Sequence, residues 1–156
     1  MINHTNNAKE LFESGYNCAQ SVFGAFCDIT GYSLDEAAKI ASGFGGGFSR
    51  QREVCGAVSG AVLVLNYLYG YTDPKSMEDK KDTYAIVTEF INKFKERCSS
   101  IICRELINES RGTDNSTSIE HINKRTNEYY KKRPCSELCA IAEEILNEII
   151  ASKNNE

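Results

Sequence analysis

Apolar residues in this chain recur mainly at helical spacing, and alternating runs bounded by turn residues are scarce, so the pattern predicts an all-α domain. Ala8, Leu11 and Phe12 start a short amphipathic helix that Gly15-Tyr16 interrupts. Asn17 then reads as the cap of a second helix. Gln20 completes a capping box, and Val22, Phe23 and Phe26 supply the apolar face as far as Gly31. The same device recurs with Ser33 and Glu36. It opens a third helix through Ala37, Ala38, Ile40 and Ala41, which ends in the run Gly43-Phe44-Gly45-Gly46-Gly47.

Residues 54–71 are apolar on every face, with Ser59 and Asn66 as polar interruptions, a pattern shared by buried helices and membrane spans. The stretch is at the lower edge of spanning length, contains Gly56, Gly60 and Asn66, and has no basic flank after Tyr71. The expectation is therefore a compact single-domain bundle over 1–156 built around this central helix, without membrane insertion. Gly56 and Gly60 fall on one face and leave a groove where another helix or a cofactor can approach the backbone, which makes them candidate cofactor-binding positions.

Asp73-Pro74 starts a long amphipathic helix whose inward face reads as Tyr84, Val87, Phe90, Ile91 and Phe94. Ser99-Ser100 breaks it and caps a short helix over 101–108. The polar stretch 110–118 lacks an apolar period and reads as a mobile surface loop. After the basic residues Lys124, Arg125 and Lys131-Lys132-Arg133, Pro134 suits the first turn of a last helix carrying Leu138, Ile141, Ala142, Ile145, Leu146 and Ile149.

Composition narrows the function. With 156 residues and 41% hydrophobic content the chain is large enough for a core that needs no metal or disulfide to form. A net charge of −4, spread along the sequence, excludes the dense basic face that nucleic-acid binding requires. The first residues have neither a basic start nor an apolar stretch, so a cytoplasmic, reducing location is expected. Seven cysteines in such a setting suggest metal ligation, redox chemistry or core packing, and an odd number leaves at least one thiol unpaired in a monomer.

Three thiols fall in predicted first helical turns: Cys18 after the Asn17 cap, Cys103 after Ser100, and Cys135 after Pro134. Unpaired backbone N–H groups and the helix dipole favour a thiolate there and are expected to lower the thiol pKa. A helix beginning at Ser49 puts Cys55 beyond the first turn, with Arg50 and Arg52 as its nearby positive charges; Arg133 plays that part for Cys135. Core packing is the favoured reading of Cys27, Cys98 and Cys139, although Cys135 and Cys139 are spaced to share a helix face. No CxxC occurs, so neither a zinc knuckle nor a thioredoxin-type motif is signalled. The Gly43 to Gly47 run can bring backbone N–H groups close to a sulfur or a bound anion.

Tyr16-Asn17-Cys18-Ala19-Gln20, Cys55-Gly56-Ala57-Val58-Ser59-Gly60, Cys103-Arg104-Glu105-Leu106 and Cys135 ahead of a terminal helix together resemble the redox-active family named for its C_GCAxxG_C_C signature. The resemblance implies that Cys18, Cys55, Cys103 and Cys135 are the shared cysteines, while Cys27, Cys98 and Cys139 lie outside the pattern. Three functions follow as expectations. In thiol-disulfide exchange or electron transfer, Cys55 attacks and Cys18 or Cys103 resolves; neither His4 nor His121 is placed to act as a base. Alternatively, the same four sulfurs ligate an iron–sulfur cluster or another thiophilic metal. The third is a non-catalytic helical partner protein, for instance a homodimer. The sequence does not name the redox partner.

Overall fold

A computed structural model describes residues 6–111 and 134–156. The elements in chain order are α1 (Asn7–Glu13), α2 (Cys18–Gly24), α3 (Cys27–Thr30), α4 (Leu34–Ala41), a 3-10 turn (Ser42–Phe44) and the single turn α5 (Gly45–Phe48). They are followed by α6 (Gly56–Tyr69), α7 (Met77–Cys98), α8 (Cys103–Arg111) and α9 (Cys135–Asn154). The described residues contain no strand, and the fold is all-α as the periodicity predicts. The mobile loop expected at 110–118 lies outside the described residues beyond Arg111, as do Lys124, Arg125 and the basic run before Pro134.

Both capping boxes form. The Asn17 side chain accepts the Gln20 N–H while the Gln20 side chain accepts the Asn17 N–H, and Ser33 and Glu36 do the same. These caps fix where α2 and α4 begin by satisfying N–H groups that would otherwise lack partners. The expected second helix is interrupted at Gly24 and resumes at Cys27, ending at Gly31 in the left-handed conformation. Glycine is a poor helix former, and the intervening turn lets Phe26 bury fully.

Helix α6 is the central element and packs mainly on α2, with α7 and α9 also against it. Its buried residues include Ala57, Val58, Ala61, Val64 and Leu65. Gly60 serves this packing: a Cβ there would lie 2.6 Å from the Ala19 carbonyl oxygen of α2. The groove foreseen at Gly60 is thus filled by a helix. No helix among the described residues is long and apolar enough to cross a membrane.

The starts or faces of three helices are corrected. The central helix begins at Gly56, with Cys55 as its cap, because the preceding residues form a separate turn. Helix α7 begins at Met77, where Ser76 accepts the Asp79 N–H, while Asp73 is used in a turn by accepting the Lys75 N–H. Its buried stripe runs through Thr83, Ile86, Phe90 and Phe94, whereas Tyr84, 56% exposed, meets Tyr71 edge-on. In α4, Ala37 and Ala41 face inward and Ile40 is 43% exposed, because a helix this short buries one narrow stripe.

One buried acid closes the bundle. Glu143 of α9 is 1% exposed and accepts the backbone N–H groups of Asn7 at 3.2 Å and Ala8 at 3.0 Å, tying the start of α1 to α9. Charge-assisted bonds of this kind are worth about 1.5–3 kcal/mol each. Glu143→Ala is expected to destabilise the protein by about 2–4 kcal/mol, with Glu143→Gln retaining part of the difference. Denaturant unfolding of the three proteins measures this.

Candidate functional site

Four cysteines distant in sequence line one cavity of about 460 Å³. Cys18 is the first residue of α2, Cys55 caps α6, Cys103 opens α8 and Cys135 opens α9. Four helix N-termini therefore meet around the same space. The local cause for the second and third is backbone pairing. An isolated antiparallel bridge joins Val54 to Ile102; the Cys55 N–H donates to the Ile101 carbonyl at 2.7 Å and the Cys103 N–H to the Glu53 carbonyl at 2.6 Å. Ser100 supports that pairing by accepting the Ile102 N–H and donating to the Glu105 carboxylate. On the opposite wall the Asn17 amide donates to the Ser42 carbonyl, holding the start of α2 against the turn before the glycines.

The glycine run forms a left-handed turn. Gly46, Gly47, Phe48, Ser49 and Arg50 have φ of 68°, 68°, 73°, 51° and 67°, and Arg52 follows at 61°. Left-handed backbone costs a non-glycine residue about 1 kcal/mol or more, so four such residues require firm support. It comes from the Arg52 N–H to the Gly46 carbonyl at 3.2 Å, the Glu53 N–H to the Gly47 carbonyl at 2.8 Å, and the Ser49 hydroxyl to the Gly43 carbonyl at 2.8 Å. Gly47 is needed for space as well as conformation, since a Cβ there would sit 2.6 Å from the Cys103 Cβ. Gly56 also lines the cavity, and a Cβ on it would press on the Cys18 Cβ at 2.9 Å.

This turn brings Arg50 and Arg52 to the cavity wall. Arg52 is 3% exposed, and its Nη1 lies 3.8 Å from the Cys103 sulfur. Sequence proximity suggested that the arginines serve Cys55; the close contact is instead with Cys103, because the turn folds back on the start of α8.

The expectation of low thiol pKa values fails at two positions. Burial raises Cys55 from 9.0 to about 12, reinforced by the nearby Cys135 and Cys103 sulfurs, while the Ala57 and Val58 N–H groups act in the opposite sense. The helix terminus thus has the expected sign and loses to desolvation and like-charge repulsion. For Cys18, a hydrogen bond with Cys135 pulls the pKa down. The hydrogen bond with Cys139, burial, and the Cys139 and Cys55 sulfurs outweigh it and hold the thiol well above its ordinary value.

Cys139, expected in the core, is fully buried, and its Sγ also donates to the Cys18 carbonyl at 3.8 Å while its thiol meets that of Cys18. The available signal was its spacing of one helical turn from Cys135. Cys27 and Cys98 are away from the cavity lining, and burial raises both of their pKa values. All seven cysteines are free thiols. Among the described residues, no group of three or more Cys, His, Asp or Glu side chains is arranged to hold a metal ion.

The fold and site define an all-helical protein that presents several thiols and a buried guanidinium to one cavity. The profile of the family described as "Putative redox-active protein (C_GCAxxG_C_C)" matches residues 16–149, nearly the whole sequence, and the chain belongs to that family. No curated protein matches the chain, and no solved structure does.

Gly47→Ala combines a left-handed φ with a clash against Cys103 and is expected to destabilise by about 1–3 kcal/mol, read as a lower denaturant midpoint. Titration of Cys55 adds a pH dependence. Its folded pKa exceeds the unfolded value, so its contribution to stability is complete below pH 9.0 and is lost as pH rises toward about 12. Unfolding curves across that interval should show a steeper loss in the native protein than in Cys55→Ala.

Proposed function

We propose that this chain is a dithiol redox protein in which Cys103 attacks a disulfide and Cys55 resolves the product. The observation that carries the reading is the gathering of Cys18, Cys55, Cys103 and Cys135 on one cavity. A buried guanidinium beside the Cys103 sulfur favours negative charge there, and a thiolate is the attacking species in exchange. Burial and neighbouring sulfurs oppose charge on Cys55, which makes it the poorer first nucleophile and moves it from the attacking role expected of it to the resolving one.

The chemistry balances in two exchanges. The Cys103 thiolate attacks one sulfur of R–S–S–R′; the Cys103–S–S–R bond forms, and R′S⁻ leaves and takes up a proton. That step removes the charge on Cys103, one of the influences holding Cys55 protonated. Cys55 then loses its proton and attacks the Cys103 sulfur, forming Cys55–S–S–Cys103 and releasing RS⁻, which is protonated. Two protein thiols are oxidised by two electrons and one disulfide is reduced to two thiols. Cys18 and Cys135, already hydrogen-bonded, form a second dithiol beside the first.

The repulsion among buried sulfurs at Cys18 and Cys55 favours a second reading, because an iron–sulfur cluster or thiophilic cation would relieve it. The donor chemistry of Cys18, Cys55, Cys103 and Cys135 suits such a group, although the described residues offer no ready-made site for a single ion.

Anaerobic purification followed by visible spectroscopy, iron and sulfide analysis, and mass mapping of thiols separates the two readings. The dithiol reading expects a colourless protein that forms a Cys55–Cys103 linkage with a mild disulfide and loses it in Cys103→Ser. Arg52→Gln should slow alkylation of Cys103 at neutral pH by about tenfold, because the guanidinium no longer favours the thiolate. Colour with stoichiometric iron and sulfide that disappears in the cysteine variants would establish the cluster instead.

A further inference from the structure

We propose that Cys139, a thiol outside the family signature, ends a thiol relay: the disulfide formed at Cys55 and Cys103 passes through Cys18 and comes to rest as Cys18–Cys139. The inference deepens the dithiol reading and rests on it for the first disulfide.

The sulfurs stand in a series rather than as isolated pairs. Cys135 and Cys103 both act on Cys55, and Cys139 and Cys55 both act on Cys18. Helix α9 packs on α2, and its Cys135 and Cys139, one turn apart, both hydrogen-bond with the Cys18 thiol. Those two bonds differ in direction. The bond with Cys135 favours charge on Cys18, so Cys135 is the donor; the bond with Cys139 opposes charge there, so Cys18 donates and the Cys139 sulfur accepts. The Cys139 proton is directed instead to the Cys18 carbonyl, 3.8 Å away. Cys139 thus presents a lone pair to the Cys18 sulfur, as a resolving thiol must, while Cys135 is placed to help Cys18 ionise.

Exposure and charge give the relay its direction. Cys55 and Cys103 line the cavity, whereas Cys139 is fully buried and lies outside that lining, so a disulfide ending there is shielded from dissolved thiols. The guanidinium beside Cys103 favours its thiolate, which stabilises the reduced form of the first pair and makes its disulfide the more oxidising. Cys18 is held above the ordinary thiol range, so its sulfur is a poor leaving group and a disulfide that contains it is released less readily.

Both steps balance as exchange. Cys18 gives its proton to water and attacks the Cys55 sulfur; Cys18–S–S–Cys55 forms, and Cys103 leaves as a thiolate beside Arg52. Cys139 then attacks the Cys18 sulfur; Cys18–S–S–Cys139 forms, and Cys55 leaves and takes up the proton that Cys139 loses. One protein disulfide replaces another with no net electron transfer, and Cys55 and Cys103 are again a dithiol able to reduce a second substrate disulfide.

Mapping the linkages over time tests this. Reduced protein is treated with one equivalent of hydroxyethyl disulfide, quenched in acid at intervals, cleaved at glutamates and sequenced by tandem mass spectrometry. Cleavage after Glu137 separates Cys135 from Cys139. Cys55–Cys103 is expected first and should give way to Cys18–Cys139, which exceeds it by about tenfold at equilibrium. In Cys139→Ala the Cys55–Cys103 linkage should last about tenfold longer, while Cys135→Ala should still reach Cys18–Cys139, more slowly.

A Cys55–Cys103 linkage that persists in the native protein while Cys18 and Cys139 stay reduced overturns the relay and leaves the dithiol reading standing. Cys18–Cys135 as the final native linkage overturns the part given to Cys139. Absence of Cys55–Cys103 at every time point, in Cys139→Ala as well as the native protein, overturns the dithiol reading and the relay with it. The native time course needs no substitution, so it decides the question even where a variant does not fold.

Discussion

The site depends on the antiparallel pairing of residues on either side of Val54 and Ile102. Two backbone hydrogen bonds, from Cys55 to Ile101 and from Cys103 to Glu53, hold the starts of α6 and α8 side by side. The left-handed turn before Cys55 can then fold back over Cys103, and its two arginines reach the cavity. Without that pairing the same helices could still bury their apolar faces, but the thiols at their ends would have no reason to meet.

Placing thiols at helix N-termini has two opposed electrostatic consequences. Backbone N–H groups favour a thiolate, as the Ala57 and Val58 contacts to Cys55 illustrate, but the convergence that brings several termini together also buries the sulfurs among one another. Desolvation and repulsion between like charges exceed the backbone N–H contribution at Cys55, while at Cys18 the Cys135 hydrogen bond is outweighed by the Cys139 hydrogen bond, burial and the neighbouring sulfurs, so both thiols are held above the ordinary range. Arg52 adjoins the Cys103 sulfur on one side of the cavity, and in the proposed exchange reaction that asymmetry separates Cys103 as the attacking thiol from Cys55 as the resolving one.

The helices were legible wherever a local signal was complete. The Asn17/Gln20 and Ser33/Glu36 boxes formed as read, because capping is decided by residues within one turn. The apolar stripe of α7 was assigned one position off at Tyr84, which periodicity alone does not distinguish from its neighbours Thr83 and Ile86 when all can pack. The start of α6 differs from the expected one because the residues after the glycines follow a left-handed course, held by hydrogen bonds spanning six residues and by the pairing of Arg52 and Glu53 with Arg104 and Cys103. Gly56 and Gly60 shared a face as expected, yet one meets the cavity and the other a neighbouring helix, a division set by where α2 crosses α6.

By itself, the sequence determined the all-helical class, the caps, the central apolar helix and the position of three of the four signature thiols in first helical turns. These follow from interactions among residues close along the chain. Tertiary structure decided that Cys55 is a cap, that Arg52 adjoins Cys103, that Cys139 meets Cys18, and that burial at Cys55 and the Cys139 contact with burial at Cys18 reverse the expected pKa direction. Each of these depends on which distant segments come into contact, and the energy of a buried charge is set by everything around it, whatever its distance in sequence.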